Sequence, residues 1–323
     1  MERKISVIVP TYKRSELLIR CLNALLNQSI GKGTYEIIVV SDGPDPITAE
    51  AIEMWTGFIH PKVSYYGLPE RRGPAAARNY GWMKATGELV AFTDDDCIPD
   101  KDWLASLVAA YHDEDELVIS GQVIVPLPET PTDFELNTSH LETAEFITAN
   151  CACTKKALLE TGGFDERFEQ AWREDSDLHF KIIQHDIPVK KVINAVVVHP
   201  VRKAPWGISI KEQRKGMYNA LLYKKFPELY KSRIKSKAPL NYYAMIFAFL
   251  TGCTLLLMKS EFLALISFSV WLILLVLFIS RRLASTSHSP EHVAEMIVTS
   301  IFIPFLSVYW QFYGGLKYRV LFL

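Results

Sequence analysis

The first two hundred residues alternate short apolar runs with longer amphipathic stretches. The apolar runs have the length and β-branched content of buried strands, and they lie at 5–9, 36–40, 63–68, 89–92, 117–125 and 192–198. Five stretches have apolar residues at helical spacing or a helix-start signal. One begins at Ser15, three lie at about 47–55, 75–85 and 101–111, and the last begins at Glu174. This alternation predicts an α/β fold, Rossmann-like, with a mostly parallel sheet covered by helices on both faces.

The pattern changes after residue 238. The stretches 240–258 and 262–280 carry no charge and are each long enough to cross a bilayer, with a tight turn at 259–261 between them. A third apolar stretch, at about 294–312, is interrupted by Pro304. It either spans the membrane or lies at its surface with aromatic anchors. We therefore predict a catalytic domain at 1–238 and a membrane domain at 239–323.

Cations flank the two uncharged stretches. Between residues 202 and 237 they are Arg202, Lys203, Lys211, Arg214, Lys215, Lys224, Lys225, Lys231, Arg233, Lys235 and Lys237. Such a run either attracts anionic headgroups or a diphosphate, or is an ordinary positive-inside flank. With Arg281 and Arg282 after the second stretch, it predicts a multi-pass protein of the plasma or inner membrane whose catalytic domain is cytoplasmic.

The overall composition excludes few functions, but it limits the classes of partner that we expect. The chain has 323 residues and a formal net charge of −1, so we expect no nucleic-acid partner. Its five cysteines have irregular spacing and no histidine at zinc-ligand spacing beside them, which indicates reduced, mostly buried thiols. The first residues lead directly into a strand, so no secretory signal is expected.

Three consecutive carboxylates, Asp94, Asp95 and Asp96, follow the apolar run at 89–92. They repel one another unless something positive lies among them. Hard oxygen ligands suit Mg²⁺ or Mn²⁺ holding a phosphate-bearing substrate. The alternative is a solvated turn that caps the next helix.

Other polar residues also follow strands, where the carboxyl ends of a parallel sheet form one crevice. They are Thr11, Tyr12 and Arg14 after the first run and Asp42 after the second. Asp42 either accepts from a base or ribose or simply completes an Asp-Gly-Pro turn. Arg78 either reaches a phosphate or lies on a solvated helix face.

A second acidic group, Glu174, Asp175 and Asp177, opens the helix after residue 173. Acids at this position complement the helix dipole, which accounts for one of the three. A general base opposite a metal site is the other interpretation. His199 ends the last strand, where it is either a metal ligand or a structural histidine.

Taken together, these pieces resemble a family 2 glycosyltransferase with the GT-A fold, over about residues 5–227. The motifs that carry the resemblance are Ser6–Tyr12, Ile37–Gly43, Gly73–Asn79, Phe92–Asp96, Gly162–Glu166 and Glu174-Asp175. It implies an inverting, metal-dependent sugar transfer from a nucleoside diphosphate sugar donor.

The resemblance also implies a role for each site residue. The nucleotide sugar would contact Pro10, Thr11, Tyr12, Arg14, Asp42, Arg78, Asp94, Asp95 and Asn150. Asp96, Asp94 and His199 would hold Mg²⁺ or Mn²⁺, with Asp96 as the direct ligand. Asp175 looks like the base and Glu174 like an acceptor-binding neighbour. We expect the acceptor to be lipid-linked or a glycan, with membrane lipids as further partners.

Three features limit the alternatives. The Gln-x-x-Arg-Trp motif of processive polymer synthases is absent from Gln213–Met217, which favours the addition of one or a few sugars. A non-catalytic membrane scaffold that binds a nucleotide sugar would have no need of Asp175. A nucleotidyltransferase normally begins with a glycine-rich phosphate loop, and residues 10–14 do not form one.

Overall fold

The computed structural model describes residues 4–234 and 239–322, and the chain divides into two compact units. One unit comprises Met1–Pro126 and Ser139–Arg202, and the other comprises Leu127–Thr138 and Lys203–Leu323. The predicted domain division at residue 238 stays a prediction, because a compact unit is not by itself a catalytic or membrane domain. Each unit is described separately below.

The first unit is built on a sheet of eight strands. They are β1 (Ile5–Thr11), β2 (Tyr35–Ser41), β3 (Lys62–Gly67), β4 (Leu89–Phe92), β5 (Ile98–Pro99), β6 (Val118–Ile124), β7 (Cys151–Thr154) and β8 (Val189–Val198). Their order is β3-β2-β1-β4-β7-β6-β8-β5. The fold is the mixed, mostly parallel GT-A type of sheet that the sequence predicts.

Strand β7 makes the sheet mixed. It runs antiparallel to both β4 and β6, whereas β1, β2, β3 and β4 pair in parallel and β6 pairs in parallel with β8. The sequence pattern misses β7 because its four residues, Cys-Ala-Cys-Thr, are small and lack β-branched apolar residues. It also misses β5, which is two residues long and pairs antiparallel with β8.

Helices cover both faces of this sheet. In chain order the helices of residues 4–184 are α1 (Ser15–Leu26), α2 (Pro46–Ala51), α3 (Glu53–Thr56), α4 (Pro74–Lys84), α5 (Trp103–Ala110), α6 (Asp133–Ser139), α7 (Lys155–Thr161) and α8 (Glu174–Gln184), with 3₁₀ turns at His140–Thr143 and Thr148–Asn150. Six of the seven residues of α6 belong to the second unit, and the other seven helices belong to the first.

Two buried clusters lie on opposite faces of the sheet. Val7 and Val9 of β1 pack in one cluster with Leu22 of α1 and Trp103 of α5. Their neighbour Ile8 packs in the other cluster, with side chains from α4, α7 and α8. Alternate residues of a strand point to opposite faces, so a near-continuous apolar strand supplies both cores at once.

The second unit is helical over most of its length. Its helices are α9 (Ile208–Glu212), α10 (Met217–Lys225), α11 (Pro227–Leu229), α12 (Leu240–Leu257), α13 (Glu261–Leu283) and α14 (Pro290–Tyr318), together with a 3₁₀ turn at Gln213–Gly216 and a π-helical turn at Tyr230–Ile234. Helices α12, α13 and α14 are each long and apolar enough to cross a membrane.

Helices α12 and α13 form a close antiparallel hairpin. A side chain at Gly252 would collide with the Phe268 ring, and the Ser267 hydroxyl donates to the Ala248 carbonyl at 2.8 Å. Helices α12 and α13 correspond to the two uncharged stretches of the sequence. The third apolar stretch lies within a single 29-residue helix, α14, which continues through Pro304.

Candidate active site

The acidic triplet lies beside the end of β1, because β4 and β1 are neighbours in the sheet. The Thr11 hydroxyl donates to Asp95 Oδ2 at 2.7 Å, and Arg14 Nη1 donates to Asp95 Oδ1 at 3.2 Å. Burial raises the pKa of Asp95 to about 6. Asp95 therefore faces inward and anchors the end of β1, while Asp94 and Asp96 remain for other partners.

Arg78 joins the two acidic groups of the sequence. Its guanidinium is almost fully buried on α4, where Nη2 donates to Asp94 Oδ1 at 2.7 Å and Nη1 donates to Glu174 Oε1 at 3.2 Å. Nearby carboxylates raise the pKa of Arg78 further, so it is a permanent cation. The interpretation of Arg78 as a solvated helix residue is wrong.

The second acidic group divides into three environments. Asp177 is fully buried and pairs with Lys181 at 3.1 Å within α8, which is a structural role. Burial and the neighbouring Asp175 raise the pKa of Glu174 to about 7. Burial also raises the pKa of Asp175, whose Oδ1 accepts from the Ser176 amide at 2.6 Å.

Glu174 has an unused acceptor. Its Oε2 is buried and has no hydrogen-bond partner within residues 4–234 and 239–322. A buried carboxylate oxygen without a donor is costly, so it indicates a place for a ligand hydroxyl or for a proton on the carboxyl group itself. Glu174 thus has the surroundings of a ligand-binding residue rather than those of a helix cap.

Four side chains converge at the other end of the site. One potential ligand atom from each of Asp94, Asp96, Cys97 and His199 lies within 4.8 Å of the others. The buried Nδ1 of His199 has no hydrogen-bond partner in the described part of the chain. Two carboxylates with an imidazole suit Mn²⁺, and the carboxylates suit Mg²⁺, so these residues fit the predicted metal.

Two residues near this group were missed by the sequence analysis. Arg202 Nε donates to Asp96 Oδ2 at 2.8 Å, and the Cys97 thiol is buried beside the same carboxylate. The sequence could have indicated Arg202 as a site residue, because it lies three residues after His199, which follows a strand end. Cys97 carried no signal, because a lone cysteine after an acidic run is usually an ordinary buried residue.

Asp42 organises the loop before α4. Its Oδ1 accepts from the amides of Arg72 and Gly73, both at 2.7 Å. Gly73 has a φ of 94° and its Cα lies against the Glu169 carbonyl, so a side chain there would collide with backbone. Arg71 stacks over the Tyr12 ring at 4.9 Å from its centroid. Asp42 is therefore at least a loop anchor, next to the predicted nucleoside residues.

Pro10 and Asn150 are placed differently from the other predicted site residues. Pro10 is buried within β1. Asn150 is fully buried: its Oδ1 accepts from Trp103 Nε1, and its Nδ2 donates to the Gln122 and Ala195 carbonyls, each at 2.8 Å. The structure does not bring the Asn150 side chain to the crevice, because its oxygen is bound to helix α5 and its nitrogen to strands β6 and β8.

Residues 6–164 match the family model described as Glycosyl transferase family 2. This range contains all but the first residue of β1, the acidic triplet, and the start of the Gly162–Glu166 turn. The chain belongs to this family. Family 2 enzymes are inverting. The matched range ends before Glu174, so the roles of Glu174, Asp175 and His199 depend on the geometry alone.

Curated relatives of this family 2 chain are glycosyltransferases by name. It is 31% identical over 131 residues to glycosyltransferase AglE of Haloferax volcanii, covering 41% of this chain and 43% of that protein. It is 26% identical over 249 residues to validoxylamine A glucosyltransferase of Streptomyces hygroscopicus, covering 65% of this chain and 56% of that protein. The chain thus spans about half the length of these relatives.

Solved structures share the fold of this family 2 chain. Mannosyltransferase PcManGT from Pyrobaculum calidifontis, in complex with GDP-Man and Mn²⁺, has a TM-score of 0.55 and 19% identity, covering 99% of this chain and 88% of that chain. S. aureus TarS 1–349 in complex with UDP-GlcNAc has a TM-score of 0.53 and 18% identity, covering 93% and 90%. Nucleotide-sugar complexes are therefore known for this fold.

Proposed function

We propose that this protein transfers a sugar from a nucleoside diphosphate sugar to an acceptor hydroxyl by an inverting, metal-dependent reaction. The observation that carries the proposal is the bridge made by Arg78. One buried guanidinium contacts Asp94 at 2.7 Å and Glu174 at 3.2 Å, so the acids on the metal side and the acids on the acceptor side belong to one site.

The metal-side residues serve the leaving group. Asp94, Asp96 and His199 would hold Mg²⁺ or Mn²⁺, which offsets the negative charge that grows on the departing diphosphate. Arg202 adds a second positive charge beside Asp96, and its guanidinium has the fork geometry that binds phosphate oxygens. These groups stabilise charge that is larger in the transition state than in the bound donor.

The acceptor-side residues serve the nucleophile. Asp175 accepts the proton of the attacking hydroxyl, and Glu174 hydrogen-bonds to the acceptor through its unpartnered Oε2. A single in-line displacement inverts the configuration at the anomeric carbon. Without a base on this side, the hydroxyl remains a weak nucleophile.

The nucleoside lies at the ends of β1 and β2 in this proposal. Thr11, Tyr12, Arg14 and Asp42 line this region, and backbone groups of Pro10 support it. Arg71, stacked on Tyr12, joins this group. Asp95 supports it from behind through Thr11 and Arg14.

The acceptor is lipid-linked or a glycan in this proposal, and the reaction takes place at the cytosolic membrane face. Three apolar helices and the adjacent basic run support this, since they would hold the site near lipid headgroups. Synthesis of a cell-envelope polysaccharide is the process that fits such an acceptor. A nucleotide-sugar-binding scaffold without chemistry is the alternative function.

The test uses the full chain in lipid nanodiscs with Mn²⁺ and a panel of UDP-glucose, UDP-GlcNAc and GDP-mannose. Thermal stabilisation identifies the donor, and release of the nucleoside diphosphate in the presence of membrane lipid extract measures turnover. The expected result is stabilisation by one donor and turnover that Asp175→Asn abolishes. Stabilisation without turnover under all conditions would favour the scaffold.

A further inference from the structure

Helix α14 is long and apolar enough to span a membrane, yet its surroundings differ from those of the α12–α13 hairpin. A segment that carries many charges, residues 207–225, runs along α14. Near the start of α14 the Gly207 amide donates to Glu295 Oε1 at 2.7 Å, and at the end of α14 Lys224 Nζ donates to the Tyr318 carbonyl at 2.7 Å. Between these points Arg214 lies over the Trp310 ring at 5.7 Å.

These contacts extend over nearly the whole helix. Glu295 and Tyr318 are roughly 35 Å apart at the normal helical rise, which exceeds the roughly 30 Å thickness of the hydrocarbon core. The covering segment includes Lys211, Glu212, Arg214 and Lys215. If α14 crossed the bilayer, these charges would lie within it, where charged side chains are unfavourable.

The first third of α14 is tied to the open end of the α12–α13 hairpin, and the chain just after α14 is tied to the segment before α12. Arg282, in the last turn of α13, donates to the hydroxyls of Thr299 at 2.7 Å and Ser300 at 2.9 Å. At the far end, Phe322 contacts the rings of Tyr223 and Tyr230, at 5.5 and 5.7 Å between centroids.

The chain between Tyr230 and α12 is too short to cross a bilayer. Ten residue steps separate Tyr230, which Phe322 contacts, from Leu240 at the start of α12. Four of them are coiled in the π-helical turn and the other six cover at most about 22 Å when fully extended, so the whole path is shorter than the roughly 30 Å hydrocarbon core. The end of α14 near Phe322 therefore lies on the side where α12 begins and α13 ends.

We propose that α14 does not cross the membrane but lies along the face at which the α12–α13 hairpin opens, with anionic lipid headgroups as the surface that it binds. This inference rests on the proposed membrane-spanning role of that hairpin. Exposed apolar side chains of α14 face the lipid, namely Ile297, Val298, Phe302, Tyr309, Phe312 and Leu316. The cations of residues 203–225 supply the charge complementary to the headgroups.

The contact between Phe305 and Phe249 of α12 fits this placement. Their ring centroids are 5.6 Å apart, in the middle of both helices. The Phe305 ring therefore points from α14 towards the middle of the hairpin, as an apolar side chain on the lipid side of an interfacial helix would. Trp310 and Tyr313 lie towards its end, where amphipathic rings are favourable at an interface.

The test is side-specific labelling of single added cysteines in the full chain, in sealed vesicles of both orientations, with a membrane-impermeant maleimide. The positions are Met258→Cys in the hairpin turn, His288→Cys before α14 and Leu321→Cys after it; all three are exposed. The unsubstituted chain gives the background, since its cysteines other than Cys253 are buried.

We expect positions 288 and 321 to react from one side and position 258 from the other. Reaction of 321 from the same side as 258 would show that α14 crosses the membrane, and would overturn the proposal. Reaction of 258 and 288 from one side would instead show that the hairpin does not span, which contradicts the membrane topology on which the proposal rests.

A depth measurement provides a second readout. A nitroxide at Tyr309→Cys and one at Leu272→Cys, in the middle of α13, are compared in nanodiscs of phosphatidylethanolamine and phosphatidylglycerol. Both native side chains are more than half exposed. We expect the probe at position 309 to lie nearer the headgroups, and therefore to be more accessible to a polar nickel quencher, than the probe at position 272, which should be accessible mainly to oxygen. Equal, deep burial of the two probes would contradict an interfacial helix.

Discussion

Arg78 reaches Glu174 across 96 positions of sequence, with 3.2 Å between Nη1 and Oε1. The other arm of the same guanidinium holds Asp94. A planar fork of donors between two carboxylates sets both their distance and their orientation. One residue on α4 thus positions the acids of the metal side and of the acceptor side together.

The first prediction concerns this bridge. Arg78→Ala leaves the buried Glu174 and the partly exposed Asp94 without their cation, so the free energy of unfolding should fall by about 3–5 kcal/mol. For a unit of this size, that corresponds to a drop in melting temperature on the order of 10 °C. Arg78→Lys should recover part of the loss, because it restores the charge without the fork.

The control is Arg72→Ala, which removes a surface ion pair with Glu166 and should cost about 0–1 kcal/mol. The double variant Arg78→Met with Glu174→Gln should lose less stability than the two single variants lose in total. The reason is that the double variant leaves no unpaired charge at the Arg78–Glu174 contact, whereas each single variant leaves one. Strict additivity would mean that the two residues are not coupled.

The second prediction concerns the base. Asp175→Asn should lower kcat by about 10²–10⁴-fold while leaving the affinity for the donor nucleotide nearly unchanged, because the amide cannot take the hydroxyl proton. Asp115→Asn makes the same chemical change on the surface and should retain full activity. Loss of nucleotide affinity in Asp175→Asn would assign Asp175 to donor binding instead.

The pH dependence follows from the same residue. Burial raises the pKa of Asp175, and the base must be ionised to work. The rate should therefore fall with decreasing pH along a limb that lies above the usual aspartate range. A rate that stays constant down to about pH 4 would contradict this assignment.

The third prediction concerns the metal. Asp96→Asn and His199→Ala should each reduce the thermal stabilisation that Mn²⁺ gives the protein, since each removes one of the three proposed ligands, Asp94, Asp96 and His199. Cys97→Ser should leave the Mn²⁺ response unchanged, because a neutral thiol is a poor ligand for Mn²⁺. Chelation with EDTA should abolish turnover, and added Mn²⁺ should restore it. A response to Mn²⁺ that survives Asp96→Asn would place the ion elsewhere.

The fourth prediction concerns stability and pH. The folded protein raises the pKa of Glu174 from 4.5 to about 7, so between these values the folded state binds more protons than the unfolded state. The free energy of unfolding therefore declines as the pH rises through this window. Glu174→Gln should flatten the decline in melting temperature between about pH 4.5 and about pH 7. The exposed Glu160→Gln should leave it unchanged.

The fifth prediction separates a structural role from a donor-binding role for Asn150. Asn150→Ala leaves Trp103 Nε1 and two carbonyls without partners, which should cost about 1–3 kcal/mol for each buried group left unsatisfied. The KM for the donor should not change in the variant at a temperature where it is folded. A large rise in KM with unchanged melting temperature would restore the sequence-based role.

The sequence predicts the first unit well where the physical signal is local. Strands β1, β2 and β4 are near-continuous apolar runs, β6 has β-branched apolar residues at both ends, and α1 and α8 carry apolar residues at helical spacing. Strand β7 is not predictable in this way. It is short and composed of small residues, so its place between β4 and β6 comes from its neighbours rather than from its own propensity.

The amino-acid order alone determines that polar and acidic residues stand at the ends of buried strands, which is sufficient to predict a crevice, a metal-side group and an acceptor-side group. It does not determine which acids share a guanidinium, that Asn150 is fully satisfied inside the sheet, or that Arg202 meets Asp96. The reason is physical. Apolar spacing acts over a few residues, whereas the partner of a buried charge is selected by packing between segments that are distant in sequence.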